Sequence, residues 1–441
     1  MSSFNKNFLA WTIILFLIPL NCYGKISIVI GGPAESKIKT AIPDFKNYSK
    51  NGESPELAGK LAKIISGDLD LSGYFLPMDK KSFLDEDGPE ISQDNINFRN
   101  WSLIGTELLI KGSYTCIGRS LIVNVILYDP FSGEKKFDRR FLGKTDEQRP
   151  LMHRIGNEII RKLTGSEGPF LSKFLFINNS DGNKEIYVCD FDGYNVKKLT
   201  SDKSIALFPR WSPEGDRYVY NSLKDGDWKL YLRDYPSGKP KMISGRKGMN
   251  TGARWADDGK SIDLTLSYSN GNRDQAQNHD IYSIDINGKI LKRYTSHLES
   301  DLSPSRSPDG SKMVFVSNRS TSPQLFVKDL KAGYEERITF GLKEATNPVW
   351  SSLNRIAFQA INDEGRHNIY LINPDGTGMR QLTRDSMDNE NPCWSPDGRY
   401  ISFDSNRSGA YHLYIMNANG YNQRQITLFK GEDRFPSWSP F

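Results

Sequence analysis

The stretch NPCWSPDGRY, residues 391–400, decides the fold, because versions of it return along the chain. Its anchor, Trp394, belongs to the series Trp211, Trp255, Arg306, Trp350, Trp394 and Trp438, with spacings of 44, 51, 44, 44 and 44. A second mark is the Ser or Thr that ends KKLT, KMIS, KRYT, ERIT, RQLT and RQIT. These residues are Thr200, Ser244, Thr295, Thr339, Thr383 and Thr427, each 11 residues before the next anchor. Self-similarity at this period indicates a propeller or a solenoid.

The contents of one repeat choose between them. The order is anchor, SPDG turn, apolar run (RYISFDS), polar bend (NRSGA), a second run with its turn (YHLYIMNANG), then RQIT. That is four short strands joined by tight turns, one propeller blade. There are six anchors and six strand–strand–strand units, but the first unit, at Phe174, has no anchor before it. The last anchor, in FPSWSP at 435–440, has no unit after it. A closed ring satisfies both and removes two open strand edges. The predicted fold is therefore α+β followed by all-β. A small N-terminal α/β domain (25–168) precedes a six-bladed β-propeller (169–441), which the C-terminal strand closes.

Residues 1–24 read as a signal peptide. Lys6 precedes an apolar run from Phe8 to Leu20, too short to be a comfortable membrane span. Small residues in CYG at 22–24 place cleavage after Gly24. Cys22 is the rival site, a lipoprotein cysteine, but Asn21 before it is not small. No later segment is apolar enough to span a membrane, so no integral membrane segment is expected in the mature chain. Residues 25–168 mix helix and strand signals. SPELAGKLAKIISGDL (54–69) predicts a helix capped by Ser54, with Leu57, Leu61, Ile64, Ile65 and Leu69 on one face. GTELLIKGSY, SLIVNVILYD and EKKFDRRFLG predict strands, the last two joined as a hairpin by PFSG. A second helix is predicted from about Glu147 to Leu163, stopped by Gly165.

The propeller's two faces differ. The SPDG and NANG-type turns share one face and do a local backbone job. The bends and blade-to-blade runs share the other. The seven residues that lengthen one spacing to 51 fall there too, within 267–280. The six runs before the anchors hold 7 Lys or Arg and 9 Asp or Glu, a balance that argues against a nucleic-acid surface. Net charge over the whole chain, +5, says the same. Leu207, Phe208, Met249, Leu302, Leu428 and Phe435 set apolar side chains among those charges, as at a protein-binding rim.

Chemistry is sparse. The five histidines are scattered, with no HExxH or HxH pair, so neither a metal site nor a cofactor is expected. Cys116, Cys189 and Cys393 are expected to be buried small hydrophobes and not disulfides. Arg210, Arg254 and Arg306 sit at or next to three successive anchors and are expected to line the channel or bridge blades. No nucleophile or metal cluster accompanies them. The chain is read as no enzyme. The alternatives are a propeller hydrolase or lyase, or a glycan-binding propeller, with its site in the central channel.

KISIVI after the signal, LMHRIGNEIIRKLTGSEGPFLSKFLFI at the junction, the six-blade repeat and the closing FPSWSP together resemble the TolB family. Its members are periplasmic propeller proteins of the Tol–Pal system. The resemblance covers the mature chain and implies a non-enzymatic periplasmic scaffold. It implies binding of the lipoprotein Pal at the propeller mouth and of TolA at the mature N-terminal strand, in support of outer-membrane integrity and constriction at division. Peptidoglycan and outer-membrane proteins would be reached only indirectly, and nucleic acid not at all. Carried onto this sequence, the TolA segment is Lys25, Ile26, Ser27, Ile28, Val29 and Ile30, extending toward Ser36. An extended apolar strand at a free terminus suits β-augmentation. The Pal contacts map to Met249, Asn250, Thr251, Gly252, Leu302, Thr346, Asn347 and Phe435. Met249 stands where some members carry His.

Overall fold

The computed structural model describes residues 37–84, 93–267, 278–385 and 387–440. The signal segment, its cleavage point after Gly24, Cys22 and the TolA segment 25–30 lie outside the described residues, as does most of the 267–280 insertion. No helix among the described residues is long and apolar enough to cross a membrane.

The N-terminal domain is built from β1 (Ile38–Ala41), β2 (Lys46–Asn47), α1 (Leu57–Ser72), β3 (Phe75–Pro77), α2 (Phe98–Leu103), β4 (Leu108–Ile117), β5 (Ser120–Tyr128), β6 (Lys135–Lys144) and α3 (Gln148–Thr164). The sheet order is β3-β1-β4-β5-β6, with β2 beside β4. β1 runs parallel to both β3 and β4, whereas β4, β5 and β6 form an antiparallel meander, of which the sequence predicts the β5–β6 hairpin. Leu57, Leu61, Ile64, Ile65 and Leu69 of α1 are buried, as their spacing requires. The expected cap is corrected. Ser54 has φ 55°, and its side chain makes no cap; the helix starts at Leu57 after Glu56. The Ser54 carbonyl instead accepts from Leu57 N (3.1 Å) and from the Tyr114 hydroxyl (2.8 Å). That tie holds Ser54 in a left-handed turn, not in the extended conformation of an N-cap. In α3, a Cβ on Gly156 would meet Phe170 at 2.8 Å and the Asp68 carboxylate at 3.2 Å. Close packing therefore outweighs the roughly 1 kcal/mol that a helical glycine costs.

From Lys173 onward six four-stranded antiparallel sheets follow one another. In blades two to six the innermost strands are Ala206–Trp211, Asn250–Trp255, Asp301–Arg306, Ala345–Trp350 and Asn389–Trp394. Blade one takes its innermost strand, Asp433–Trp438, from the far end of the domain. It pairs with Lys173–Asn178 in the register Asp433↔Asn178 and Trp438↔Phe174. The closed ring anticipated from FPSWSP is therefore present.

The recurring threonine has a physical role. Each of Thr200, Thr295, Thr339, Thr383 and Thr427 accepts a third-strand backbone N–H, 2.8–3.0 Å away and 14 residues earlier in the chain. Four of these hydroxyls donate in turn to Glu185, Asp280, Gln324 and Asn368. All five threonines are buried, so each hydroxyl satisfies polar groups that water cannot reach. The SPDG serines likewise close their own turns: Ser307 and Ser395 donate to Asp309 and Asp397.

The N-terminal domain docks on the SPDG face. Helices α1 and α3 share one apolar core with Phe174, Phe176, Phe191, Tyr400, Leu413, Ile415 and Trp438. The Tyr400 hydroxyl donates to Ser72 O (3.1 Å), Arg399 donates to Glu167 O, and Arg424 pairs with Asp70 at 2.9 Å. At the centre of this interface lies a buried polar cluster. Nδ1 of His153 is 2.9 Å from both oxygens of Asp68, and its Nε2 is 3.4 Å from Asp192, which Arg149 also holds. Asp68 belongs to α1, His153 and Arg149 to α3, and Asp192 to a blade-one turn. The turns read as purely local thus also seat a second domain.

Candidate functional site: the propeller mouth

The face opposite the docked domain is built from the starts of the six innermost strands. Each of these strands carries a bulge three residues before its anchor, where the register to the second strand shifts. The bulged residues are Phe208, Gly252, Ser303, Asn347, Asn391 and Phe435, and all have φ between 49° and 67°. Glycine and asparagine adopt this region readily; a phenylalanine costs about 1–2 kcal/mol there. Proline follows five of the six, at Pro209, Pro304, Pro348, Pro392 and Pro436. An innermost strand is a sheet edge, so its proline removes no ladder hydrogen bond, and the bulge turns the edge away from further pairing.

The bulges are stitched between blades. Phe435 N donates to Asp404 at 3.0 Å, Asn391 N to Gln359 at 2.9 Å, and Ser303 N to Thr265 at 3.2 Å. Each acceptor lies on the second strand of the preceding blade. Asp404 is fully buried, and both its oxygens also accept from Asn391 Nδ2 (3.1 and 3.0 Å) and one from Arg434 (3.2 Å). Burial pushes its carboxyl up to about 6, with the Arg434 charge opposing and Glu390 adding to the rise. Arg434 pairs with Glu390 at 2.9 Å and lies 3.8 Å over the Tyr411 ring.

On the side of blades six and one the mouth is thus lined by a buried charged network, and ion pairs such as Lys224–Asp202 and Arg319–Asp301 continue on the same face in other blades. Phe208 and Phe435 meet edge to face, ring centres 4.7 Å apart, each half-buried. The runs leading into the innermost strands expose Leu298 (92%), Leu428 (81%) and Phe340 (61%). Isolated exposed side chains need no explanation, but three on the face that also carries the aromatic pair give it an apolar rim.

The sequence-predicted contacts fall on this face in two groups. Thr251, Gly252, Leu302, Thr346, Asn347 and Phe435 occupy the two half-buried positions at each bulge. Met249 is also half-buried and donates its N–H to the Ser267 hydroxyl (2.6 Å). Asn250 differs: it is fully buried, and its amide is committed to Ser244, Trp228 O, Arg246 O and Gly248 O. It holds the rim and presents nothing. Sequence reasoning missed Leu298 and Phe340; their signal was an apolar residue at the beginning of a run otherwise polar. It also placed all three cysteines in the core. Cys116 and Cys189 are buried, but Cys393 is half-exposed, because its position on the innermost strand faces the channel. Arg306 does bridge blades, pairing with Asp263 and the Tyr294 hydroxyl, whereas Arg210 and Arg254 line the channel.

Among the described residues the one grouping spaced to hold a metal is Asp68, His153 and Asp192, which belongs to the domain interface and not to the mouth. The mouth itself offers rigid backbone, an aromatic pair and a polar flank, a surface for another protein.

The molecule is a two-domain β-propeller, with an α/β domain under the ring and an apolar rim above it. A model described as the TolB beta propeller domain matches residues 160–441, and one described as the TolB amino-terminal domain matches 26–136. The chain belongs to the TolB family. "Protein TolB homolog" of Chlorobium luteolum is 32% identical over 356 residues, covering 80% of this chain and 76% of its own. "Tol-Pal system protein TolB" of Syntrophotalea carbinolica is 37% identical over 166 residues (37% of this chain, 39% of its own). The same-named protein of Desulfosudis oleivorans is 34% identical over 213 residues (48% and 49%). The chain thus spans less than half the length of these last two relatives. The crystal structure of TolB from Acinetobacter baumannii superposes with a TM-score of 0.77 at 23% identity, covering 92% of this chain and 98% of that one, a likeness of fold.

Proposed function

We propose that this protein is a non-enzymatic periplasmic scaffold of the Tol–Pal system, joining Pal at the propeller mouth to TolA at the mature N-terminal segment. In that role it supports outer-membrane integrity and constriction at division. The observation that carries the reading is the strained Phe208–Phe435 pair, on the face that also exposes Leu298, Phe340 and Leu428. Strain in the left-handed region gathers at functional positions, and two phenylalanines held there are a cost the fold alone does not require. Pal and TolA are chosen as partners because relatives of this chain are named Tol-Pal system proteins, which supports the reading.

Replacing both Phe208 and Phe435 by Asn keeps residues that tolerate the left-handed conformation and removes the rings. Pal affinity measured by calorimetry is expected to fall at least about tenfold, the scale of an interface hot spot. Leu353→Asp, an exposed site on the opposite face, should leave it unchanged. Unaltered Pal binding by the double variant would remove the mouth from the account.

For TolA, deletion of residues 25–36 from the mature chain is expected to abolish capture while the propeller unfolds at its usual temperature. Capture by the shortened chain at full strength would place the TolA site elsewhere.

A further inference from the structure

At three of the six positions just before an anchor, the fold uses the residue to join neighbouring blades. Ser305 accepts the N–H of Trp350 (3.0 Å), Ser437 that of Trp211 (3.1 Å), and the Cys393 sulfur that of Trp438 (3.5 Å). In each case a small acceptor takes the next blade's anchor amide. The other three positions hold no side-chain acceptor: blade five places Val349 there, within an apolar core, and blades two and three place arginine, Arg210 and Arg254. A guanidinium has no acceptor, so neither residue can do that job.

These two arginines line a cavity of about 500 Å³ at the SPDG end of the channel, walled by the anchor tryptophans and the serines and prolines of the turns. Among the described residues neither forms an ion pair. Arg210 donates to Pro209 O (2.8 Å) and more weakly to Pro436 O (3.5 Å). The carboxylate lining the cavity, Asp257, feels the charge of Arg306, which is itself paired with Asp263. Burial first, and then the charge of Arg210, push the Arg254 guanidinium down to about 9, and burial lowers Arg210 as well. Two cations on the innermost strands of neighbouring blades, partly withdrawn from water and with no carboxylate among the described residues in ion-pair reach, are an electrostatic deficit that the charge of Asp404 on Arg210 offsets only in part.

We propose that this cavity is a binding site for a small oxyanion, the carboxylate or phosphate group of a small molecule, held by Arg210 and Arg254. The planar guanidinium fork matches either group with two parallel hydrogen bonds. The site lies at the opposite end of the channel from the rim and is independent of the Pal reading.

The test is thermal unfolding of the full mature chain in inorganic phosphate or succinate, each matched in ionic strength with sodium chloride. A saturable rise in Tm is expected with at least one of the two, and the responding anion assigns the group. Arg254→Met should weaken that response about tenfold or more, the share of charge-assisted hydrogen bonds. Arg254→Met should also raise the anion-free Tm, because it removes a repulsion, whereas loss of a structural arginine would lower it. Arg254→Lys keeps the charge without the fork and should respond more weakly than wild type. Equal shifts in wild type and Arg254→Met, or no shift with either anion, would overturn the site.

Discussion

Replacing His153 with leucine is expected to cost the intact protein about 3–5 kcal/mol, because Asp68 is left buried without its partner. Both residues are nearly inaccessible, and the substitution roughly conserves volume, so the loss reports charge and not a cavity. The double change His153→Leu, Asp68→Leu should recover most of the stability, since an apolar pair of similar size is often neutral. Chemical denaturation of the three proteins separates these outcomes. A double variant no better than the single would mean that packing, not pairing, holds the interface.

The same cluster sets a pH dependence with a definite sign. Burial pushes Asp68 up to about 6, against the pull of His153. For His153, burial pushes downward, but the hydrogen bond and charge of Asp68, followed by Asp192, outweigh it and raise the imidazole. Arg149 opposes that rise. Between about pH 4 and 6 the folded Asp68 keeps a proton that the unfolded chain has lost, so its contribution falls as pH rises. The contribution of His153 is complete below about pH 6.5 and disappears as pH passes its raised folded value. Both terms weaken the interface toward alkaline pH. The stability gap between wild type and the double variant should therefore shrink from pH 5 to pH 9; a constant gap would contradict the assignment.

Trp438→Ala should cost a further class of stability, about 3–5 kcal/mol, typical of an aromatic lost from a core. Its ring packs on Phe174 (4.7 Å), Phe191 (5.8 Å) and Tyr400 (6.1 Å), and Nε1 donates to Ser172 at 2.8 Å. It joins the closing strand, its pairing partner and the seat of the N-terminal domain in one contact. Trp255, the corresponding half-buried anchor, should cost distinctly less when cut back to alanine. Equal denaturation midpoints for the two variants would deny the closing strand any special weight.

The ring was legible because period and anchor are covalent facts. A spacing of 44 residues and an orphan FPSWSP leave few arrangements. What was illegible depended on contacts between distant segments. Ser54 resembles a cap until the Tyr114 hydroxyl claims its carbonyl. Arg399 and Tyr400 look like the end of a local turn, yet reach Glu167 and Ser72. The interface did leave one trace: Asp68 and His153 interrupt the apolar stretches of two helices, and each is buried only because the other is there. At the mouth, the residues before the anchors were legible as a set, but the left-handed bulge was not. Its commonest sequence sign, Phe, Ser or Asn ahead of a proline, becomes readable only once the strand is known to be an edge.

The closing strand also orders events in time. Asp433 meets Asn178 across 255 residues, so the first blade is begun before the other five and completed only after all of them. Until that segment arrives, Lys173–Asn178 is an open edge, and the seat for α1 and α3 lacks Trp438. Contacts of such sequence separation form late and slowly. A chain threaded through a membrane from its N-terminus would hence keep its ring open until residues 433–438 had crossed.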